Sequence, residues 1–431
     1  MKVMGVVAEY NPFHNGHAYQ LSKAKYEFDA DAVIAVMSGD FVQRGEPAII
    51  DKYSRAALAI SNGADIVCEL PAVAATASAE IFAEAGVATL LATGVITDLM
   101  FGCEDEEPEL FRKVAGFFLE EPPAFKLSLS KNLRSGMPFA AARADAVVEN
   151  WTDKSERDML KDFLAAPNNI LGIAYTRALI SRDPLVWLHP IHRRGVSHDE
   201  STYSTNFASA SLLRRILFQD DSHAVTRDFL DDRDKSHMVN GDSIAMFIPE
   251  NEVPLINTLC ARGMLIGADD ISLLLHQALL YHNDISGYMD CNGDISKRIL
   301  NERNNFVSFS QFADLLKTKN INHSRIRRIL THLVLGLHHE DLALLKEEDF
   351  APYIRILGFS DAGRELLSRI KENAKVPIIV SPQEAARNTL WSEKKDRLLS
   401  RDVYAADLYR ALLTQRLGEA LPTEYTRVFG Q

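Results

Sequence analysis

The stretch Val6–Gln20, VVAEYNPFHNGHAYQ, decides how the rest of the chain is read. An apolar run stops at Glu9, and a proline, two histidines and a glycine then crowd into the six residues from Pro12 to His17. Helical spacing follows over 16–28, so the corner joins a buried strand to a helix. In an open parallel sheet, ligands bind beyond the carboxyl ends of the strands. His14 and His17, three residues apart, project from nearly the same face as the helix begins. Gly16 removes a side chain where a ligand approaches the backbone. The helix N-terminus adds unpaired N–H groups and a partial positive charge. These features make a phosphate site. A metal site is the first alternative, but there is no HExxH and the local sequence offers no third ligand. A purely structural corner, with the imidazoles capping a turn, is the second; the strand-then-helix context weighs against it.

Working outward, short apolar runs recur at 3–10, 30–38, 64–71 and 96–104, with a further strand at 184–193. Helical patterns near 16–28, 51–62 and 78–92 lie between them, and 166–180 reads as an Asn-led helix. Continuous apolar strands alternating with helices predict a parallel sheet covered on both faces. After about residue 235 the strand signals fade and apolar residues recur at helical intervals. The expectation is therefore α/β: a Rossmann-like domain over 1–235 and an all-helical domain over 236–431, joined through the acidic, irregular stretch 219–242. The 431 residues, 47% hydrophobic and 25% charged, suit a soluble protein of two domains. No run is long enough to span a membrane and no signal peptide is apparent. Four separated cysteines form no CxxC pair, which predicts a reduced, cytoplasmic protein. The net charge of −12 argues against nucleic-acid binding by the whole surface, though not by a local patch.

HNGH after a first strand resembles the HxGH signature of the nucleotidyltransferase superfamily. The longer EYNPFHNGH resembles, more specifically, the bacterial tRNA(Met) cytidine acetate ligase family. MSGDFVQRGEPA (37–48), FGCE (101–104), PNNILGIAY (167–175), RRGVSHD (193–199) and FASASLLRR (207–215) continue that resemblance in order. KTKNINHSRIRRILTHLVLG (317–336) and YIRILGF (353–359) extend it into the second half.

The resemblance implies an enzyme that activates acetate with ATP and passes the acetyl group to N4 of the wobble cytidine in elongator tRNA(Met). It implies ATP contacts from Val7, Ala8, Glu9, Tyr10, Asn11, Pro12, Phe13, His14, Asn15, Gly16, His17, Ala18, Tyr19 and Gln20. His14 and His17 would be catalytic, at the phosphates. Gly102 would lie against the nucleotide, and Asn168, Asn169, Arg193 and Arg194 would complete the site. Arg214 would belong to a second phosphate-binding motif. Ser38, Gly39 and Gln43 are candidates for the substrate pocket, and Asp40 reads as a solvent-facing loop acid. No protein nucleophile is needed, because acetate supplies the attacking oxygen. Mg²⁺ is expected with ATP, and no dedicated metal ligands are assigned.

Between Lys317 and His339 there are five Lys/Arg residues and no acid. On a helix, Ile326, Leu330, Leu333 and Leu337 form an apolar stripe, with Arg325, Arg328 and His332 on another that is free to meet phosphates. A companion stretch, 125–143, carries Lys126, Lys131, Arg134 and Arg143. The candidate tRNA contacts are thus Lys126, Lys131, Arg134, Lys317, Lys319, Arg325 and Arg328. Removing charge from Arg325 and Arg328 is expected to spare the reaction with ATP. Two rival readings are a small-molecule adenylyltransferase and an RNA-binding protein with a regulatory nucleotide site.

Overall fold

A computed structural model of the chain describes residues 1–193, 207–218, 242–318, 321–385 and 387–427. Arg194, Lys319 and the expected boundary at 235/236 lie outside the described residues.

The five strands expected in the first half are present: β1 (Val3–Ala8), β2 (Ala32–Ser38), β5 (Ile66–Leu70), β6 (Asp98–Cys103) and β7 (Trp187–His192). They pair in parallel in the order β7-β6-β1-β2-β5. Along β2, Val33, Ala35 and Met37 enter one core while Ala32, Ile34 and Val36 enter another. Alternation with both faces buried is why the sequence reads as a continuous apolar run. Helices Asn15–Tyr26 and Lys52–Ser61 cover the first face through Leu21, Ala24, Ala56 and Ala59. Helices Ala79–Ala92 and Pro167–Ile180 cover the other through Leu90 and Ala178. The strand order reverses beside β1, so the carboxyl ends of β1 and β6 flank a crevice at the switch point.

The second half is mostly helical, and it also completes the sheet. β8 (Ile354–Phe359), within the stretch YIRILGF, pairs antiparallel with β5, and β9 (Ile378–Ile379) pairs parallel with β8. The interruption that hides this strand is Arg355, which is fully buried and lies opposite Glu69 of β5. Its charge is met there at 3.1 Å by the Glu69 carboxylate, and again by Glu424 from the end of the chain.

A two-stranded hairpin, β3 (Phe41–Val42) and β4 (Glu46–Pro47), follows β2 and reaches across to helix His323–Leu335 of the second half. Gly45 turns this hairpin at φ +73°, and a Cβ there would fall within the backbone of Arg327 and Arg328. Only glycine meets both conditions without strain.

Candidate active site

The corner after β1 is built from buried aromatics outward. Tyr10 and Phe13 are wholly buried, and their rings flank His17 at centroid distances of 4.9 and 5.4 Å. Val7 packs against the helix at Gly86. The Asn11–Pro12 peptide is cis. Asn11 uses its side-chain oxygen to accept from the Ile49 N–H at 2.7 Å, and its backbone oxygen accepts from Arg214 at 2.7 Å. His14 caps the helix Asn15–Tyr26: its Nδ1 accepts from the Gly16 N–H at 3.0 Å, while the His17 and Ala18 N–H groups donate to its carbonyl. The space expected for ligand at Gly16 is taken by the His14 ring itself, which a Cβ would meet at 2.8 Å. Asn15 donates to the Met246 carbonyl, and the Tyr19 ring meets Phe207 edge-on. Gln20 lies half-buried one turn further along the helix.

The two imidazoles stack at 3.7 Å. With Nδ1 of His14 accepting, its proton sits on Nε2, and that atom is buried without a partner among the described residues, as is Nδ1 of His17. Burial, then the Arg193 and Arg214 charges, push His14 down to about 3. Burial, then His14 and Arg193, hold His17 well below the usual histidine range. Both rings are neutral at pH 7. A buried polar atom left unpaired costs roughly 1–3 kcal/mol, so this pair is arranged for a ligand that pairs with it.

The guanidinium groups of Arg193 and Arg214 act on that pair. Arg193 follows β7, donates its backbone N–H to Cys103 and its guanidinium to the Asn168 side-chain oxygen. A Cβ on Gly102 would meet the Arg193 stem at 3.0 Å, so the absent side chain makes room for this arginine. Asn169 is spent internally: it accepts from the Glu104 and Asp105 N–H groups and donates to the Phe163 carbonyl. Asn168 donates to Glu104 at 2.6 Å. These two asparagines therefore fix the loop after β6 and orient Arg193. Arg214, from helix Ala210–Phe218, pairs with Glu46 at 3.3 Å and reaches toward Ser211.

The sequence reading missed Arg44, although it lies within MSGDFVQRGEPA. It stands exposed on the hairpin, donates to the Ser211 hydroxyl at 3.0 Å, and its charge acts on Glu9, Arg193 and Arg214. Gln43 is held by its backbone N–H donating to Glu9 at 2.8 Å. Burial raises the Glu9 carboxyl above its usual range, and Arg44 and Arg214 oppose that rise. Arg55 was also missed. Fully buried, it donates to the carbonyls of Glu9, Ser38 and Gly39, clamping the ends of β1 and β2 together.

The expected pocket residues Ser38 and Gly39 are buried beneath Arg55, with the Ser38 hydroxyl unpartnered among the described residues. Asp40 is not a solvent-facing acid. It is 6% exposed, accepts from the Lys52 N–H at 2.8 Å, and burial raises its carboxyl to about 7 against the pull of Lys52. It meets the first N–H of the helix Lys52–Ser61 from inside the molecule, while Asp51 caps that helix through the Tyr53 and Ser54 N–H groups.

The basic stripe also differs from expectation. Arg328 is 7% exposed with its Nε 2.6 Å from Asp290, and Arg325 donates to the Asp290 carbonyl at 2.8 Å. His332 is fully buried between the carbonyls of Met289 and Thr76. The second stripe is therefore packed: Arg325 and Arg328 are tied to Asp290 within the second half, and His332 reaches Thr76 of the first. Lys317 remains exposed, as do Lys126, Lys131 and Arg134 on helix Pro123–Arg134 beside the exposed Leu127 and Phe139. Lys126 has one surface partner, Glu121, at 3.2 Å.

A family model described as HIGH Nucleotidyl Transferase matches residues 1–421. A tRNA(Met) cytidine acetate ligase of Clostridium kluyveri is 33% identical over 394 residues, 90% of this chain and 92% of that protein. One from Caldanaerobacter subterraneus subsp. tengcongensis is 34% identical over 410 residues, 95% of each chain. The crystal structure of apo Thermotoga maritima TmcAL superposes with a TM-score of 0.85 at 30% identity, covering 98% of this chain and 97% of that one. The same protein bound with alpha-thio ATP superposes at 0.83, with 31% identity, covering 97% and 96%.

Proposed function

The chain belongs to the tRNA(Met) cytidine acetate ligase family of HIGH nucleotidyl transferases, and from that premise we propose how its residues act. It is an ATP-dependent ligase that activates acetate as acetyl-adenylate and acetylates N4 of the wobble cytidine of elongator tRNA(Met). The observation that carries this reading is the stacked His14–His17 pair at the switch point, whose buried Nε2 and Nδ1 have no partner among the described residues and which feels the charges of Arg193 and Arg214.

An acetate oxygen attacks the α-phosphorus of ATP, the bond to the β-phosphate breaks, and the electron pair leaves on pyrophosphate. His14 donates from Nε2 to a phosphate oxygen, and His17 from Nδ1, the nitrogen left without a partner among the described residues. Arg193, Arg214 and Arg44 balance the charge that builds on the leaving group. The cytidine amine then attacks the acetyl carbonyl, loses its proton and releases AMP. Glu9, Asn168, Asn169 and Arg55 hold the corner in shape, and the buried Ser38 hydroxyl, unpartnered among the described residues, is the group there left to meet acetate. Among the described residues no three His, Cys, Asp or Glu side chains converge as a metal cage. Mg²⁺ would therefore enter on the ATP phosphates, where it would offset part of their charge.

The exposed basic residues Lys126, Lys131, Arg134 and Lys317 are the better candidates for RNA phosphates, since Arg325 and Arg328 are engaged within the protein. No helix among the described residues is long and apolar enough to cross a membrane; a tRNA substrate places the enzyme in the cytoplasm. The test is exchange of labelled pyrophosphate into ATP without tRNA. The reading requires exchange that depends on acetate; exchange that is absent, or indifferent to acetate, overturns it.

A further inference from the structure

The carboxylate of Glu46 is shared by two arginines from opposite halves of the molecule. One oxygen lies 3.3 Å from Nε of Arg214, and the other pairs with Arg327 of helix His323–Leu335. Arg214 in turn donates to the Asn11 carbonyl at 2.7 Å, within the turn that carries His14. Gly45, beside Glu46, packs directly on the backbone of Arg327 and Arg328. A continuous chain of charge-assisted contacts thus runs from the second half, through the hairpin, to the phosphate corner.

We infer that Arg327 is a positioning residue of the ATP site, acting through Glu46 on Arg214. The inference rests on the reading of that corner as the ATP site. Its physical basis is competition for one carboxylate. While Arg327 holds one oxygen of Glu46, the hairpin stays down and Arg214 keeps part of its charge for phosphate. Without Arg327, Glu46 is a half-buried acid with Arg214 as its remaining ion-pair partner among the described residues. It then pairs fully with Arg214, withdrawing the guanidinium from ATP and adding an uncompensated negative charge beside a polyphosphate. The residue lies in the expected RNA-binding half, yet its effect falls on the reaction that needs no RNA.

The test measures acetate-dependent pyrophosphate release without tRNA, in the wild type, Arg327→Ala, Arg327→Lys, Glu46→Gln and the double variant Glu46→Gln/Arg327→Ala. Arg327→Ala should raise the KM for ATP or lower kcat by about tenfold to a hundredfold, the scale of a displaced contact group. Arg327→Lys should recover part of the loss. Removing the Glu46 charge should rescue Arg327→Ala, because the competing acid is gone, whereas a purely structural role would make the double variant worse. Unchanged kinetics in Arg327→Ala, or an additive double variant, overturns the inference. Wild-type protein without acetate-dependent release would instead refute the reading of the site. Thermal melts of each variant check folding; if Arg327→Ala does not fold, Arg327→Lys against Glu46→Gln/Arg327→Lys decides by the same sign of rescue.

Discussion

On the proposed mechanism, His14 and His17 act as neutral donors in a buried, positively charged corner. Replacing either with alanine removes one contact to the developing pyrophosphate and should slow adenylate formation by roughly 10²–10³-fold. Both rings are also packed, His14 capping the first helix through Nδ1 and His17 lying between Tyr10 and Phe13, so each variant should also lose about 1 kcal/mol of stability; pyrophosphate exchange and a thermal melt measure the two effects separately. The same environment predicts a proton effect. Burial and the two arginines hold His14 down at about 3 from its ordinary 6.5. With Nδ1 accepting from Gly16 and the proton on Nε2, the folded ring takes up no further proton, whereas the unfolded chain does. Stability contributed by this pair is therefore present above about pH 6.5 and lost as pH falls below it, so the denaturation midpoint should drop from about pH 7 to 5 and drop less in His14→Ala. An equal drop in the variant would mean that the ring is not held neutral.

At the scale of elements, the hairpin from Phe41 to Pro47 joins the halves, and Gly45 makes the joint possible. Gly45→Ala would place a side chain at positive φ and into the backbone of the helix it packs on. A cost of about 1–3 kcal/mol for the conformation alone is expected, seen as a lowered denaturation midpoint together with slower adenylate formation. An alanine variant of wild-type stability would show that the hairpin is not held there. How far such elements are legible depends on the range of the contacts that make them. β1, β2, β5 and β6 could be read because they are buried on both faces and so mainly apolar, while β7, an edge strand with Trp187 and His192 exposed, shows only a shorter apolar pattern. β8 could not, because Arg355 interrupts it and its carboxylate partners lie far off in sequence. The histidine corner is a local motif and was found. Arg44 and Arg55 were not, since only the folded hairpin and the closed strand ends show what they face. Arg327 meets Glu46 across 281 residues, which no local pattern signals. Charge spacing alone likewise made Arg328 look exposed, when a second packing surface buries it.

At the scale of the molecule, the two halves share one sheet. A fragment ending at residue 235 would lack β8 and β9, leaving Glu69 and Lys52 buried without Arg355 and Glu424. Breaking a buried ion pair costs about 3–5 kcal/mol, comparable to the stability of many domains. Such a fragment should show no cooperative melt by circular dichroism; a stable, ATP-binding fragment would contradict this. On the proposed reading the RNA is met from both halves, by Lys126, Lys131 and Arg134 of the first and Lys317 of the second, so a rigid joint between them suits the chemistry. The most direct measurement is mass spectrometry of nucleosides from elongator tRNA(Met) incubated with the protein, ATP and isotopically labelled acetate. The account predicts labelled N4-acetylcytidine at the wobble position, with one AMP and one pyrophosphate formed per acetyl group transferred. Unlabelled tRNA, or ADP and phosphate in place of AMP and pyrophosphate, would contradict it.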